Sequence, residues 1–260
     1  DMRPSLLPGL LAAAQRNADR GFGDVALFEV GQIFEDDTPG GQKTTAAGVR
    51  RGTAKLQGAG RHWSGASSTV DVFDAKADAE AALAAIGAPV EKLLVSADAP
   101  ATFHPGRSGC LKLGPKNTLA VFGEFHPRIL GALDIEGPLV GFEIYLDNLP
   151  TPKSKATRSK GALNASDLMP VRRDFAFVVG KDIAAETLLK AARGAEKSLV
   201  SGVTLFDVYE GKGIGDDQKS LAIDVELQPK QKTLTDEEID AVGKKIIAAV
   251  EKATGGTLRG

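Results

Sequence analysis

The sequence predicts an α+β chain in two parts, a larger antiparallel sheet with helices followed by a smaller βαββαβ unit. Three observations carry that reading. In residues 1–149, strand-like runs outnumber helical ones, and only two apolar patterns there are long enough for substantial helices. In residues 168–260, strand and helix patterns alternate in the order strand, helix, strand, strand, helix, strand, the ferredoxin-like arrangement. Between them, residues 150–167 read as a basic linker: Leu149–Ser166 carries Pro150, Pro152, Lys153, Lys155, Arg158 and Lys160, no acid, and little that could enter a core.

Taken in order, Leu6–Asn17 reads as a helix, with Ser5 as N-cap, Pro8 in the first turn and Gly21 after the end. Strands follow at Val25–Phe34, where Phe28 and Val30 alternate with Glu29 and Gly31, and at Thr45–Thr53. Residues 58–68 are rich in Gly and Ser and read as a loop. A helix over Phe73–Ile86 offers Phe73, Ala77, Leu83 and Ile86 as its buried face. Short strands at Leu93–Ser96, Gly109–Leu113 and Thr118–Glu124, a brief helix at Pro127–Leu133 and a strand at Leu139–Tyr145 complete the first part. The expected result is a sheet with helices packed on one side.

In the second part, strands are expected at Asp174–Val179, Val203–Tyr209, Ser220–Leu227 and Thr257–Arg259. A helix over Ile183–Leu199 would bury Leu188, Leu189, Ala192 and Leu199. A second helix opens with Thr235 and Glu238 as a capping box and carries Ile239, Val242, Ile246 and Val250 at helical spacing.

Composition bounds the function. Net charge is −2, and residues 161–260 hold 14 basic and 16 acidic side chains, so bulk charge does not announce nucleic-acid binding. Any RNA contact must come from placed residues. No apolar run approaches the roughly 18 residues that span a bilayer, and no signal-peptide pattern opens the chain, which points to a cytoplasmic setting and no membrane partner. The single cysteine, Cys110, sits in an apolar strand pattern and reads as a buried thiol. The chain begins at Asp1 and enters a helical pattern at once, as expected of a segment from a longer polypeptide.

Catalytic signals are missing. His62, His104 and His126 form no cluster with metal-ligand spacing, and no nucleophile elbow, P-loop or dinucleotide fingerprint occurs. Gly211–Gly215 joins two strands and precedes no helix, so it reads as a hairpin loop and not as a phosphate cradle. No catalytic or metal-binding residue is therefore assigned, and no cofactor to these residues. More informative is Leu205-Phe206-Asp207-Val208-Tyr209. Period-two alternation places Leu205, Asp207 and Tyr209 on one face, with Phe206 and Val208 on the other, apolar face against the helices. An acid and a tyrosine on an open sheet suit the stacking of unpaired bases, although by themselves they fit an ordinary sheet surface better.

Several stretches act together on this choice. Pro170–Phe177, Leu205–Gly211, Lys219–Ala222, Thr233–Ile239 and Leu258-Arg259, in that order, resemble the ferredoxin-fold anticodon-binding domain of the bacterial phenylalanyl-tRNA synthetase beta subunit. Met2–Leu11 with Asn17 and Arg20, Phe28–Phe34, Phe103–Ser108 and Gly123–Pro127 resemble that subunit's catalytic-like domain. The resemblance implies residues 1–149 as a class II synthetase-like domain that performs no aminoacylation, then the linker, then residues 168–260 as the anticodon-binding domain. It implies that Tyr209 stacks on an anticodon base and that Asp207, Ser220, Ala176 and Arg259 contact anticodon bases. The implied partners are the anticodon region of tRNA(Phe) and the alpha subunit, in a heterotetramer of two alpha and two beta chains, with ATP and Mg2+ used by the holoenzyme elsewhere. The residues supply a reason for inactivity: Phe34 is followed by Glu35, Asp36 and Asp37, where a class II enzyme places an arginine for the ATP phosphate, and Gly141–Asp147 lacks the arginine-ended third motif. A fragment that makes only protein contacts is the alternative. An independent small-molecule enzyme would need a nucleophile or metal cluster that the sequence does not offer.

Overall fold

The computed structural model describes residues 2–53, 68–150 and 166–259. The chain divides into two compact units, Asp1–Ala156 and Thr157–Gly260. Most of the expected linker, from 151 to 165, lies outside the described residues, as does the expected Gly- and Ser-rich loop up to residue 67.

In the first unit the elements are α1 (Leu7–Ala18), β1 (Val25–Phe34), β2 (Gln42–Arg51), α2 (Val72–Ala85), β3 (Leu94–Ser96), β4 (Phe103–Leu113), β5 (Asn117–Phe125), α3 (Pro127–Ala132) and β6 (Leu139–Tyr145). They form a six-stranded sheet in the order β1-β2-β6-β5-β4-β3, with every neighbouring pair antiparallel. The helices do not lie on one side as expected. Leu7, Leu10, Leu11 and Ala14 of α1 pack with Ala47, Val49, Val121 and Leu139 on one face. Ala75, Ala79 and Leu83 of α2 pack with Leu111, Phe122, Val140 and Ile144 on the other. Strand alternation produces both cores, because Ala46 and Ala47, or Leu139 and Val140, point to opposite faces.

The buried face of α2 matches expectation at Leu83 and differs elsewhere. Ala75, Ala79 and Leu83 are buried, whereas Phe73 is 73% exposed and Ile86 49% exposed, and Ala77 faces outward. A ridge of small side chains at positions i and i+4 lets the helix lie close to the sheet, where Phe73 would hold it off. Asp71 fixes the phase. Its side chain accepts from the Phe73 N–H at 2.8 Å, and Asp74 accepts from the Asp71 N–H at 2.8 Å. Arg50 of β2 then ties the helix down, its Nη2 donating to Asp78 at 2.8 Å.

At α1 the cap is Leu6 and not Ser5, and the reason lies on β6. Glu143, 4% exposed, accepts from the Leu6 N–H at 3.1 Å and from the Ser5 hydroxyl at 2.9 Å, while Ser5 accepts from the Leu7 N–H at 3.1 Å. A carboxylate from a distant strand thus takes the capping role at the positive end of the helix. Cys110 is buried as expected, and burial pushes its thiol up. His104 and His126 both serve their own turns: each Nδ1 accepts a backbone N–H two residues on, from Gly106 and Arg128, at 3.1 Å.

The second unit contains β7 (Val171–Gly180), α4 (Ala185–Ala195), β8 (Val200–Tyr209), β9 (Gln218–Leu227), α5 (Asp236–Thr254) and β10 (Thr257–Leu258). Its four strands lie in the order β10-β7-β9-β8, with β7 and β8 each antiparallel to β9 between them. Phe177, Val179, Leu221, Ile223, Val225 and Leu227 face the helices and meet Leu188 and Ala192 of α4 and Ile239, Val242, Ile246 and Val250 of α5. Both helices therefore cover one face. The expected helix over Ile183–Leu199 is shorter at both ends. α5 begins as expected, with Thr235 accepting from the Glu238 N–H at 3.3 Å and Glu238 accepting from the Thr235 N–H at 3.0 Å. Replacing Thr235 by Ala removes the reciprocal pair and should lower the stability of this unit by about 1 kcal/mol, readable as a lower thermal midpoint. Among the described residues, no helix is long and apolar enough to cross a membrane.

Candidate nucleic-acid interface

With both helices on one face, the other face of the β10-β7-β9-β8 sheet is left open, and strand register decides which side chains it presents. Ala176 of β7 and Asp207 of β8 both lie opposite Ala222 of β9. Val178 and Tyr209 both lie opposite Ser220 in the next row. The two rows make a small-residue floor of Ala176, Ala222, Val178 and Ser220, with Asp207 and Tyr209 along the β8 edge.

The approach to Tyr209 contains a feature that alternation alone misses. Leu205 lies opposite Ile223 and Asp207 opposite Ala222, consecutive positions on β9, so Phe206 is the extra residue of a β-bulge. The bulge reverses the phase of the strand. Leu205 turns to the helix side and packs at the edge of the core, while Asp207 and Tyr209 stand on the open face. The expected grouping of Leu205 with Asp207 and Tyr209 is therefore wrong. Phe206 and Val208 do not pack on the helices either; they are 57% and 52% exposed.

Arg259 follows β10, at the far edge of the sheet from β8. Its N–H donates to Ala176 O at 2.7 Å, which anchors it beside the floor. From there its side chain crosses the face, and its guanidinium carbon lies 5.4 Å from the centre of the Tyr209 ring. The Tyr209 hydroxyl donates to Lys212 O at 3.2 Å, in the loop that joins β8 to β9. Gly211 makes room for this, since a Cβ there would lie 3.0 Å from the tyrosine oxygen. Ser220 is 3% exposed although its side chain belongs to the open face. Among the described residues, neither the Arg259 guanidinium nor the Asp207 carboxylate has a hydrogen bond or ion pair.

All five sequence-derived residues, Tyr209, Asp207, Ser220, Ala176 and Arg259, thus lie on or over one surface. Val178 and Ala222 of the floor were missed, although period-two spacing from Ala176 and Ser220 would have found them. Further along the face, Arg172 bridges Asp224 and Glu226 at 3.0 Å each, so the acids there are countered locally. Such an arrangement offers a ring for stacking, an acceptor for base amines, a hydroxyl, and a cation for phosphate or base.

Comparison with known proteins agrees with both halves of the chain. Residues 1–146 match the phenylalanyl tRNA synthetase beta chain CLM domain, and residues 166–259 match the ferredoxin-fold anticodon binding domain. Two phenylalanine–tRNA ligase beta subunits, from Mesorhizobium japonicum and Brucella suis, are each 58% identical over 260 residues, covering 100% of this chain and 32% of the relative. The chain thus spans about a third of the length of the curated relatives it matches. Among solved structures, the pyrrolysyl tRNA synthetase PylSc of Desulfitobacterium hafniense has a TM-score of 0.41 at 18% identity, over 56% of this chain and 47% of that one, a likeness too loose to assign a fold. Two domain matches in sequence order, and identity that runs the whole length of the chain, lead to one conclusion: this chain belongs to the phenylalanyl-tRNA synthetase beta chain family.

Proposed function

We propose that this chain supplies anticodon recognition and subunit assembly to a phenylalanine–tRNA ligase and performs no chemistry itself. Residues 168–260 read the anticodon of tRNA(Phe) on the open sheet face. Residues 1–149 form a class II synthetase-like, non-catalytic domain that joins the alpha subunit in a heterotetramer of two alpha and two beta chains, and 150–167 link the two. The observation that carries the reading is Tyr209 standing with Asp207 at the edge of a small-residue floor, the form of a platform for unpaired bases. Tyr209 stacks on one anticodon base, Asp207 accepts from base amines, Ser220 bonds a base edge, Ala176 leaves room for close approach, and Arg259 meets base or phosphate.

The first unit does not fit ATP with its Mg2+. Where the triphosphate would need an arginine, Phe34 is followed by Glu35, Asp36 and Asp37. The Thr38 hydroxyl and N–H both donate to Asp36, which holds its carboxyl below the ordinary range and keeps it anionic. Activation of phenylalanine then belongs to other parts of the holoenzyme, and no step is assigned here.

Binding by this chain alone is weak and salt-sensitive, because stacking on one aromatic contributes roughly 1–3 kcal/mol and the unit carries no basic excess. Titration with a short hairpin bearing the phenylalanine anticodon, at low and moderate salt, tests this. Tyr209→Ala should weaken binding by about tenfold, within that stacking range, and a scrambled anticodon should bind no better than the variant. Submicromolar binding that survives Tyr209→Ala, or equal binding of both hairpins, would remove the assignment and leave a protein-contact role.

A further inference from the structure

The Tyr209 ring is 37% exposed and already has a cation against it. The Arg259 guanidinium lies over it at 5.4 Å, and Ser220, opposite Tyr209 on the neighbouring strand, is 3% exposed on a face that no helix covers. We propose that Arg259 is a built-in lid: in the free protein its planar guanidinium takes the place of a nucleobase on Tyr209 and seals Ser220 beneath the stack. An arriving base must displace it. This rests on the anticodon-reading proposal and adds a conformational step to it.

Three features make Arg259 suited to this. A guanidinium is flat, stacks on aromatic faces and is weakly hydrated, so it mimics a base in shape. Among the described residues it makes no hydrogen bond or ion pair, so nothing but the ring has to be given up when it moves. Its backbone is held independently, by the N–H that donates to Ala176 O at 2.7 Å, so the side chain can swing while its root stays beside the floor. Tyr209 does not need to move, because its hydroxyl remains tied to Lys212 O. A cation on an exposed ring is held more weakly than a stacked base, so the exchange favours the nucleic acid. Once displaced, the guanidinium lies next to the incoming strand with all its donors unused, and becomes a phosphate contact on the same hinge. The lid covers the ring only in part, leaving it 37% exposed, keeps the serine hydroxyl out of water until RNA arrives, and makes binding a two-step process.

Thiol labelling of the full 260-residue chain tests the lid without RNA. Ser220→Cys places a reporter under the stack, with Cys110, itself buried, as a slow internal reference. With Arg259 present the new thiol should react with a maleimide slowly; adding Arg259→Ala, or Arg259→Gln as a second version, should speed labelling by about tenfold or more. An unchanged rate in both versions would mean that Tyr209 alone covers the serine, and would overturn the lid while leaving anticodon reading intact. In a second arm, excess anticodon hairpin should slow labelling in the Arg259→Ala background, where a base replaces the missing lid. Fast labelling there, at a hairpin concentration shown by titration to saturate this same double variant, would show that no base takes the lid's place and would overturn the proposal together with base reading on this face. The substitution keeps the backbone bond to Ala176, and an unchanged thermal melt confirms that the rate reports on cover and not on unfolding.

Discussion

Glu143→Ala should destabilise the first unit by about 2–4 kcal/mol, because it leaves the buried Leu6 N–H and the Ser5 hydroxyl without their acceptor. The same change removes the charge at the positive end of α1, but burial disfavours that charge overall, so the lost bonds carry the effect. A urea titration should show a lower midpoint, and a loss below about 1 kcal/mol would mean that the helix end finds other partners. Glu143→Gln separates the two roles, since an amide oxygen still accepts both bonds but carries no charge. Burial pushes the Glu143 carboxyl above its ordinary 4.5, and the bonds from Leu6 and Ser5 offset this only in part. The folded form therefore holds a proton more tightly than the unfolded chain. Its contribution is most favourable below the unfolded value of 4.5 and falls as pH rises through the folded value. Glu143→Gln should remove that fall and leave the unit at least as stable at neutral pH. Tyr145, two residues on, is pushed up to about 12, mainly by burial, and stays neutral throughout this range.

The second large effect is expected at Phe177, which is fully buried at the centre of the second core. It stacks with Phe175 at 6.3 Å between ring centres and meets both helices through the surrounding cluster. Phe177→Ala should cost about 3–5 kcal/mol, a large part of the roughly 5–15 kcal/mol that holds a domain together. The residue before it, Ala176, forms the floor of the open face and accepts the Arg259 N–H at 2.7 Å, so hairpin binding should fail together with the fold. Tyr209→Ala should do the opposite, changing stability by less than about 0.5 kcal/mol while weakening hairpin binding. A Phe177→Ala chain that melts and binds like the parent would show that the reading face does not depend on the core behind it.

Much of the second unit was legible from residue order. Thr235 and Glu238 announce the start of α5, and Ile239, Val242, Ile246 and Val250 mark its buried stripe, because caps and helical spacing are local properties. The order of the elements was within reach for the same reason, whereas the five candidate residues came from the resemblance to a family and not from local pattern, which grouped Leu205 with Asp207 and Tyr209. In the first unit, Val25–Phe34 and Leu139–Tyr145 were legible to the residue, as strands bounded by clear changes in pattern.

Other features depend on contacts between distant residues. The face that α2 buries follows from how closely an alanine ridge approaches the sheet, and apolar content alone favoured the wrong side, with Phe73. The cap of α1 comes from Glu143, more than a hundred residues away, so no reading of Ser5 and its neighbours could supply it. Tyr209 and Asp207 face outward because Phe206 is bulged against β9, a one-residue offset that exists only once two strands are paired. Arg259 reaches Tyr209 because β10 closes the sheet beside β7, which brings the end of the chain over the face that β8 borders. The sequence by itself determined the elements, their order and the chemistry available on the open face. Tertiary structure alone decided which side of each element is buried and that Arg259 lies 5.4 Å from the Tyr209 ring, because pairing register and close packing are relations between segments that local pattern does not contain.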